Sequence, residues 1–304
     1  MAKVGFIGLG YMGHGMAGCL LTAGHELMVK GNRNREPVDD LVSRGATEAA
    51  TPRDMAAACE VVHLCLSNSP QVEAVFEGED GLLAGAHAGL IVIDTTTADP
   101  TSTRRLAAAL AEKGAFLVDA PLGRTPKEAA EGTLDAMVGG DAEAVERAMP
   151  FIECWAKAIT KTGPVGTGHV MKLLMNFTSM GYASMYAEAL VLAAKSGLNP
   201  KIYREVIGKS RLSNGFFETF MTGAIGGEPN IHKFTIANAS KDLRYADAMA
   251  TEAGVVNLLG NTFKQYFAQA EATGHSSEFV ASMAHHVAAL NGLDLDAALK
   301  EGEQ

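Results

Sequence analysis

Lys172, Asn176 and Ser179 follow one another at intervals of four and three residues. That spacing puts all three on one face of a helix, where an apolar stripe would otherwise be expected. A lysine ammonium in such a stripe can protonate and stabilise the alkoxide that develops when a hydride reaches a carbonyl carbon. Desolvation in a dry cleft draws a lysine pKa toward the working pH, so the same Lys172 can act as base in the reverse direction. Proton transfer coupled to hydride transfer is therefore the chemistry this helix suggests.

A hydride carrier is suggested at the other end of the sequence. Gly8, Gly10 and Gly13 form G-x-G-x-x-G between the apolar run Val4 to Ile7 and a helical stretch containing Met16 to Leu21. The first glycine permits a tight turn, the second lets the backbone approach a pyrophosphate, and the third lets helix and strand pack closely. The free N–H groups and dipole at the helix N-terminus then favour the anionic diphosphate. An acid that binds a ribose diol is expected about 20 residues further on. Here the strand HELMVK ends in Gly31-Asn32-Arg33-Asn34-Arg35, without a carboxylate. Asn32 and the two arginines can hold a 2′-phosphate by charge-assisted hydrogen bonds, which favours NADP and leaves NAD possible.

The elements that must position these groups alternate through the first half of the chain. KVGFIG, HELMVK, VVHLCL, GLIVID and AFLVDA read as strands between Ala-rich helical stretches. This predicts a mostly parallel, doubly wound α/β sheet of the Rossmann type. The alternation stops near Lys161-Thr162-Gly163-Pro164, giving an expected dinucleotide-binding domain over 1–164 and a helical substrate and oligomerisation domain over 165–304. The stretch from Gly166 to Lys195 lacks proline and would form one helix of about 45 Å, long enough to leave one domain and traverse another. Further helices are predicted near 200–210, 238–253, 257–273 and 277–290.

The 304 residues include 47% hydrophobic and 20% charged side chains, an ordinary globular balance. A formal charge of −10 argues against nucleic-acid or anionic-membrane partners. The N-terminal apolar run is too short and glycine-rich for a signal peptide or membrane span, so a cytoplasmic location is expected. Cys19, Cys59, Cys65 and Cys154 lack metal-ligand spacing and are expected to be reduced and structural. No metal is expected, and His285 and His286 show no matching ligand set. His169 lies one turn before Lys172 and reads as structural, while His14 occupies a position in the glycine turn that is often small.

Five blocks carry a family resemblance: GFIGLGYMGHGMAGCLLTAGHEL, VIDTTTADP, DAPLGRTPKEAAEGTLDAMVGGD, GTGHVMKLLMN and FTIANASKDLRYA. In this order they resemble the β-hydroxyacid dehydrogenase family. The resemblance implies a Rossmann domain, a long interdomain helix, a helical C-terminal domain and a homodimer or homotetramer. Its catalytic motif G-x-x-x-K-x-x-x-N maps onto Gly168, Lys172 and Asn176, with Met175 where a second asparagine is frequent. Carried over by position, the cofactor residues are Gly8, Leu9, Gly10, Tyr11, Met12, Gly31, Asn32, Arg33, Leu66, Ser67, Thr97 and Lys241. The substrate residues are Thr96, Gly123, Arg124, Thr125, Asn176, Ser179 and Lys241.

Carboxylate-handling members carry a serine and two glycines where this chain has Gly123-Arg124-Thr125. An arginine fork and a threonine hydroxyl offer more donors, which suits the three acceptor oxygens of a sulfonate. The same Gly-Arg-Thr block resembles that of sulfonate-handling members of the family, and this resemblance implies a reaction that interconverts 3-sulfolactaldehyde and 2,3-dihydroxypropane-1-sulfonate. Carboxylate substrates such as 3-hydroxyisobutyrate, tartronate semialdehyde or succinic semialdehyde are the alternative, and a non-catalytic dinucleotide-binding protein is the alternative of another class.

Overall fold

The computed structural model describes residues 1–301, and contacts within the chain divide it into two units, Met1–Lys172 and Leu173 onward. Nine strands form one sheet in the first unit: β1 (Lys3–Ile7), β2 (Glu26–Lys30), β3 (Thr47–Glu48), β4 (Val61–Leu64), β5 (Ile91–Asp94), β6 (Phe116–Asp119), β7 (Leu122–Gly123), β8 (Leu134–Gly139) and β9 (Ala156–Gly163). Their order is β3-β2-β1-β4-β5-β6-β8-β7, with β9 beside β8. From β3 to β6 all pairs are parallel, and β8 runs antiparallel to both β6 and β7.

Every residue of β4 and β5 is buried, as parallel strands covered on both faces require. The two faces of β1 show the same cover. Val4 and Phe6 join a core with Met16, Leu20 and Trp155, while Ile7 joins a second core with Met55, Phe76, Leu82 and Leu110. The β-branched runs KVGFI and IVID thus form strands because helices on either side take up both sets of side chains. This is the expected doubly wound α/β arrangement.

Four strands were not anticipated. β3 and β7 have two residues each, too short to show a period, and β9 mixes Lys and Thr with Ala and Ile without alternation, in a stretch read as a boundary. The fourth, β8, lies within a block whose small residues hide its strand character.

Beyond Lys172 the described residues are helical. The long helix spans Thr167–Lys195, close to the expected extent, and the boundary between the units falls within it. It is followed by Pro200–Gly208, Gly215–Ile225, Ile236–Glu252, Leu258–Ala272, Met283–Leu290 and Leu295–Lys300. The helices at Gly215 and Leu295 were not predicted. The second unit has its own core, built from Met180, Leu190, Phe217, Phe220, Phe267 and Val287 among others. Among the described residues no helix is long and apolar enough to cross a membrane.

Candidate active site

The strand order reverses between β1 and β4, and in open α/β sheets ligands bind in the crevice beyond the carboxyl ends of strands at such a point. Gly8 to Met12 follow β1, Gly31 to Arg33 follow β2, Leu66 and Ser67 follow β4, and Thr96 and Thr97 follow β5. The expected dinucleotide residues of the first unit therefore all follow strand carboxyl ends.

The three glycines differ in what constrains them. Gly8 has φ +99°, and a Cβ there would stand 2.2 Å from the Cys65 carbonyl oxygen. A Cβ on Gly13 would stand 1.9 Å from the Gly8 carbonyl oxygen, so helix and turn touch through this residue. At Gly10 a Cβ would meet nothing within 4 Å, so that glycine leaves open space above the backbone. The helix Gly13–Thr22 carries no acidic residue in its first turn. An anionic diphosphate fits an N-terminus with this clearance and no opposing charge.

After β2 one of the two arginines is otherwise engaged. Arg35 donates two 2.7 Å hydrogen bonds to the carboxylate of Glu48 on β3 and lies 3.5 Å from Asp39. This pairing holds the Glu48 carboxyl below its usual range. The reading of Arg35 as a free phosphate ligand is corrected on this ground, because two of its guanidinium donors are engaged by a carboxylate that matches its charge. Arg33 is exposed and has no carboxylate partner among the described residues. His14 bonds Asp40 at 2.9 Å, which ties the glycine-loop helix to the helix Glu36–Ser43.

The N-terminus of the long helix is fixed by a buried acid. Asp119, at the end of β6, is 0% exposed. Its carboxylate accepts from the Gly166 N–H at 2.6 Å and the His169 N–H at 2.9 Å. These are orphan donors of a first helical turn, and the Asp119 side chain satisfies two of them. Gly168 lies between them because a Cβ would stand 2.3 Å from the Met137 carbonyl and 2.8 Å from the Asp119 carboxylate. The glycine of the G-x-x-x-K motif is thus a packing requirement.

His169 is fully buried, with Nδ1 2.7 Å from the Thr103 hydroxyl and Nε2 4.0 Å from Asp94. Burial raises the pKa of Asp94. The Asp94 carboxylate also accepts the Thr96 N–H at 2.9 Å. Thr96 in turn is buried, and its hydroxyl accepts from the Leu66 N–H at 3.1 Å. Its observed contacts thus brace the β4 and β5 loops. Lys172 is half-buried one turn beyond His169. Asp94 and Asp119 were not identified in the sequence because each meets partners 47 or more positions away.

The loop after β7 carries strain. Arg124 has φ +78° and is the one non-glycine residue with positive φ among those described. Its guanidinium donates to Asp135 on β8 at 2.8 Å, with the two side chains 49% and 41% exposed. Thr125 caps the helix Pro126–Glu131 in a capping box: its hydroxyl lies 2.5 Å from Glu128, and the Lys127 N–H approaches it at 3.3 Å. The donor supply counted from sequence is thus partly committed inside the protein.

In the second unit Asn176 is 7% exposed and donates to Asp242 at 2.6 Å. Lys241 Nζ is 3.1 Å from the same carboxylate, and the Ser179 hydroxyl donates to the Asn176 carbonyl at 3.1 Å. The structure thus links Asn176 and Lys241 through Asp242, an acid whose role the sequence did not indicate. All four cysteines are free, and burial pushes the Cys65 thiol up to about 11.

Residues 3–163 match the family described as the NAD binding domain of 6-phosphogluconate dehydrogenase. Residues 166–287 match the NAD-binding family of NADP-dependent 3-hydroxyisobutyrate dehydrogenase. The chain is 35% identical to 3-sulfolactaldehyde reductase of Escherichia coli over 91% of its own length and 93% of that protein's. It is 39% identical to NAD-dependent L-serine dehydrogenase of Pseudomonas aeruginosa over 72% of this chain and 74% of that one. Among solved structures, 3-hydroxyisobutyrate dehydrogenase of Mycobacterium tuberculosis with L-serine superposes with a TM-score of 0.85 at 28% identity, covering 94% of this chain and 99% of that one.

Proposed function

Because the chain belongs to the β-hydroxyacid dehydrogenase family, and so is an NAD(P)-binding oxidoreductase acting on a hydroxyl group, we propose that it reduces a small anionic aldehyde with Lys172 as proton donor. The observation that carries this reading is the anchoring of the Lys172 helix by Asp119 and its close-packed Gly168. The dinucleotide, when bound, supplies the hydride in reduction and accepts it in the reverse direction. Gly8 to Met12, Leu66, Ser67 and Thr97 would hold it, with Gly10 leaving room for the diphosphate. Lys172 gives its ammonium proton to the substrate oxygen and holds the negative charge that develops there. Asn176, Ser179 and Lys241 are proposed as substrate contacts, with Lys241 also toward the cofactor.

NADP is the proposed cofactor, with NAD as the second choice. No acid ends β2, Asn32 and Arg33 remain exposed there, and the Glu48 charge is matched by Arg35. NADPH is expected to bind more tightly than NADH, and Arg33→Ala to narrow the gap by weakening NADPH alone. Titration of both cofactors checks this; equal affinities in the wild type would contradict it.

For the substrate, 3-sulfolactaldehyde is proposed first, supported by the likeness to 3-sulfolactaldehyde reductase and by an arginine kept in a glycine conformation. Left-handed backbone costs a non-glycine residue about 1–2 kcal/mol. Retention of Arg124 there therefore calls for something its side chain provides. A carboxylate substrate is the second reading, favoured by the Arg124–Asp135 pair and the Thr125 cap, which give both side chains internal roles.

Arg124→Gly separates the two. An exposed ion pair contributes about 0–1 kcal/mol, so relief of strain should leave the variant at least as stable as the wild type. On the sulfonate reading, kcat/KM for 3-sulfolactaldehyde falls at least about tenfold, the loss expected for a charged hydrogen bond, and falls more than for succinic semialdehyde. Unchanged values for both would assign Arg124 to the Asp135 pair and support the carboxylate reading.

A further inference from the structure

Beyond the reductase site, a second cluster brings together three side chains suited to a metal. His275 lies in the loop after the helix Leu258–Ala272, Glu278 ends that loop, and His286 is on the helix Met283–Leu290. His275 Nδ1 is 2.7 Å from one Glu278 oxygen and His286 Nε2 is 3.0 Å from the other. The three ligand atoms lie within 4.8 Å of one another. The two imidazole rings are 4.0 Å apart between centroids. We propose that His275, Glu278 and His286 form a binding site for a divalent late first-row metal ion, zinc being the simplest occupant.

Two imidazole nitrogens and a carboxylate oxygen suit zinc, whose tetrahedral sites take such ligands at about 2.0–2.1 Å and accept water in an open position. Ligand atoms around such an ion stand about 3.3 Å apart. The present 2.7 and 3.0 Å contacts would open by about 0.3–0.6 Å, and any wider separation among the ligand atoms, within 4.8 Å, would close toward the same value. His275 and Glu278 are 37% and 43% exposed, so both can adjust and an ion can enter. His286 is 13% exposed, so its ring is held in place on the helix while the other two ligands adjust around it. Two rings this close, aimed at one carboxylate, share a bound cation without the repulsion that two protonated rings would suffer.

The ion would join the loop after the helix Leu258–Ala272 to the helix Met283–Leu290. The His275–Glu278 loop accepts hydrogen bonds from the Ile236 N–H, through the Glu278 carbonyl at 2.8 Å, and from the Ala237 N–H, through the Ser276 carbonyl at 3.0 Å. These are first-turn donors of the helix Ile236–Glu252, which carries Lys241 and Asp242. A metal clamp thus fixes the loop that caps this helix. The site escapes motif reading because its ligands sit at 275, 278 and 286, and the last was read only with its neighbour His285, whose side chain bonds Asp296 instead.

The test uses the full chain after chelator treatment, titrated with zinc against a chromophoric zinc indicator, with thermal unfolding measured in parallel. One equivalent is expected to bind and to raise the melting temperature. His286→Ala and Glu278→Gln should each weaken binding at least about tenfold and remove the thermal shift, while His285→Ala should keep both. His275→Ala, on an exposed loop, serves where His286→Ala is poorly folded. No binding by the wild type, retained binding in the His275 or His286 variants, or equal loss in His285→Ala would overturn the site.

Discussion

Lys172→Ala is expected to lower kcat by at least about 10²-fold while dinucleotide affinity stays nearly unchanged, as loss of a positioned acid should. The direction follows from the chemistry: without the ammonium, the alkoxide that develops on the substrate loses both its proton donor and its counter-charge. Cofactor affinity is spared because the proposed diphosphate contacts come from the Gly8 to Met12 turn. Lys172→Arg keeps the charge but not the proton-transfer capacity, since a guanidinium hardly deprotonates, and should be nearly as slow. Steady-state rates with fluorescence titration of the cofactor check both variants. A near-wild-type kcat in Lys172→Ala would remove this residue from the mechanism.

Asp119→Ala should cost about 3 kcal/mol of stability, because two buried N–H groups lose a charged acceptor and the helix N-terminus loses its counter-charge. Asp119→Asn keeps one acceptor oxygen but turns an amide donor toward the second N–H, so it should fall between. The effect reaches catalysis through the same helix: Lys172 stands one turn from the anchored His169, and a loosened first turn misplaces its ammonium. Denaturant unfolding and kcat should therefore fall together in Asp119→Ala. A change below about 1 kcal/mol, the range of an ordinary exposed pair, would show that other contacts hold the helix.

Both positions illustrate what the sequence makes legible. The glycine turn and the Lys172 stripe are local patterns, since each declares itself within a dozen residues through turn chemistry or helical period. The five principal parallel strands are legible for the same reason, as continuous apolar runs. Asp119, Asp94 and Asp242 are single acids in apolar or mixed stretches, and their roles come only from partners 47 to 75 residues away or 66 residues away. Arg35 failed in the opposite way: it looked free after β2 because its partner Glu48 sits on a two-residue strand with no detectable period. The Gly215–Ile225 helix was missed because Gly215 and Gly223 dilute a weak apolar pattern. The strained Arg124 was visible as a residue out of place, but its pairing with Asp135 depends on the β7–β8 hairpin register.

The central claim, hydride transfer to a small anionic aldehyde, is tested most directly by following a label. NADPH or NADH carrying deuterium at both C4 positions of the nicotinamide is incubated with the wild-type protein and 3-sulfolactaldehyde, succinic semialdehyde, tartronate semialdehyde or a neutral aldehyde of matched length, and the products are weighed by mass spectrometry. The account predicts deuterium on the former carbonyl carbon of at least one anionic substrate, with little or none in the neutral alcohol. Label reaching the neutral alcohol as fast as any anionic one, or no transfer to any of them with either cofactor, would contradict it.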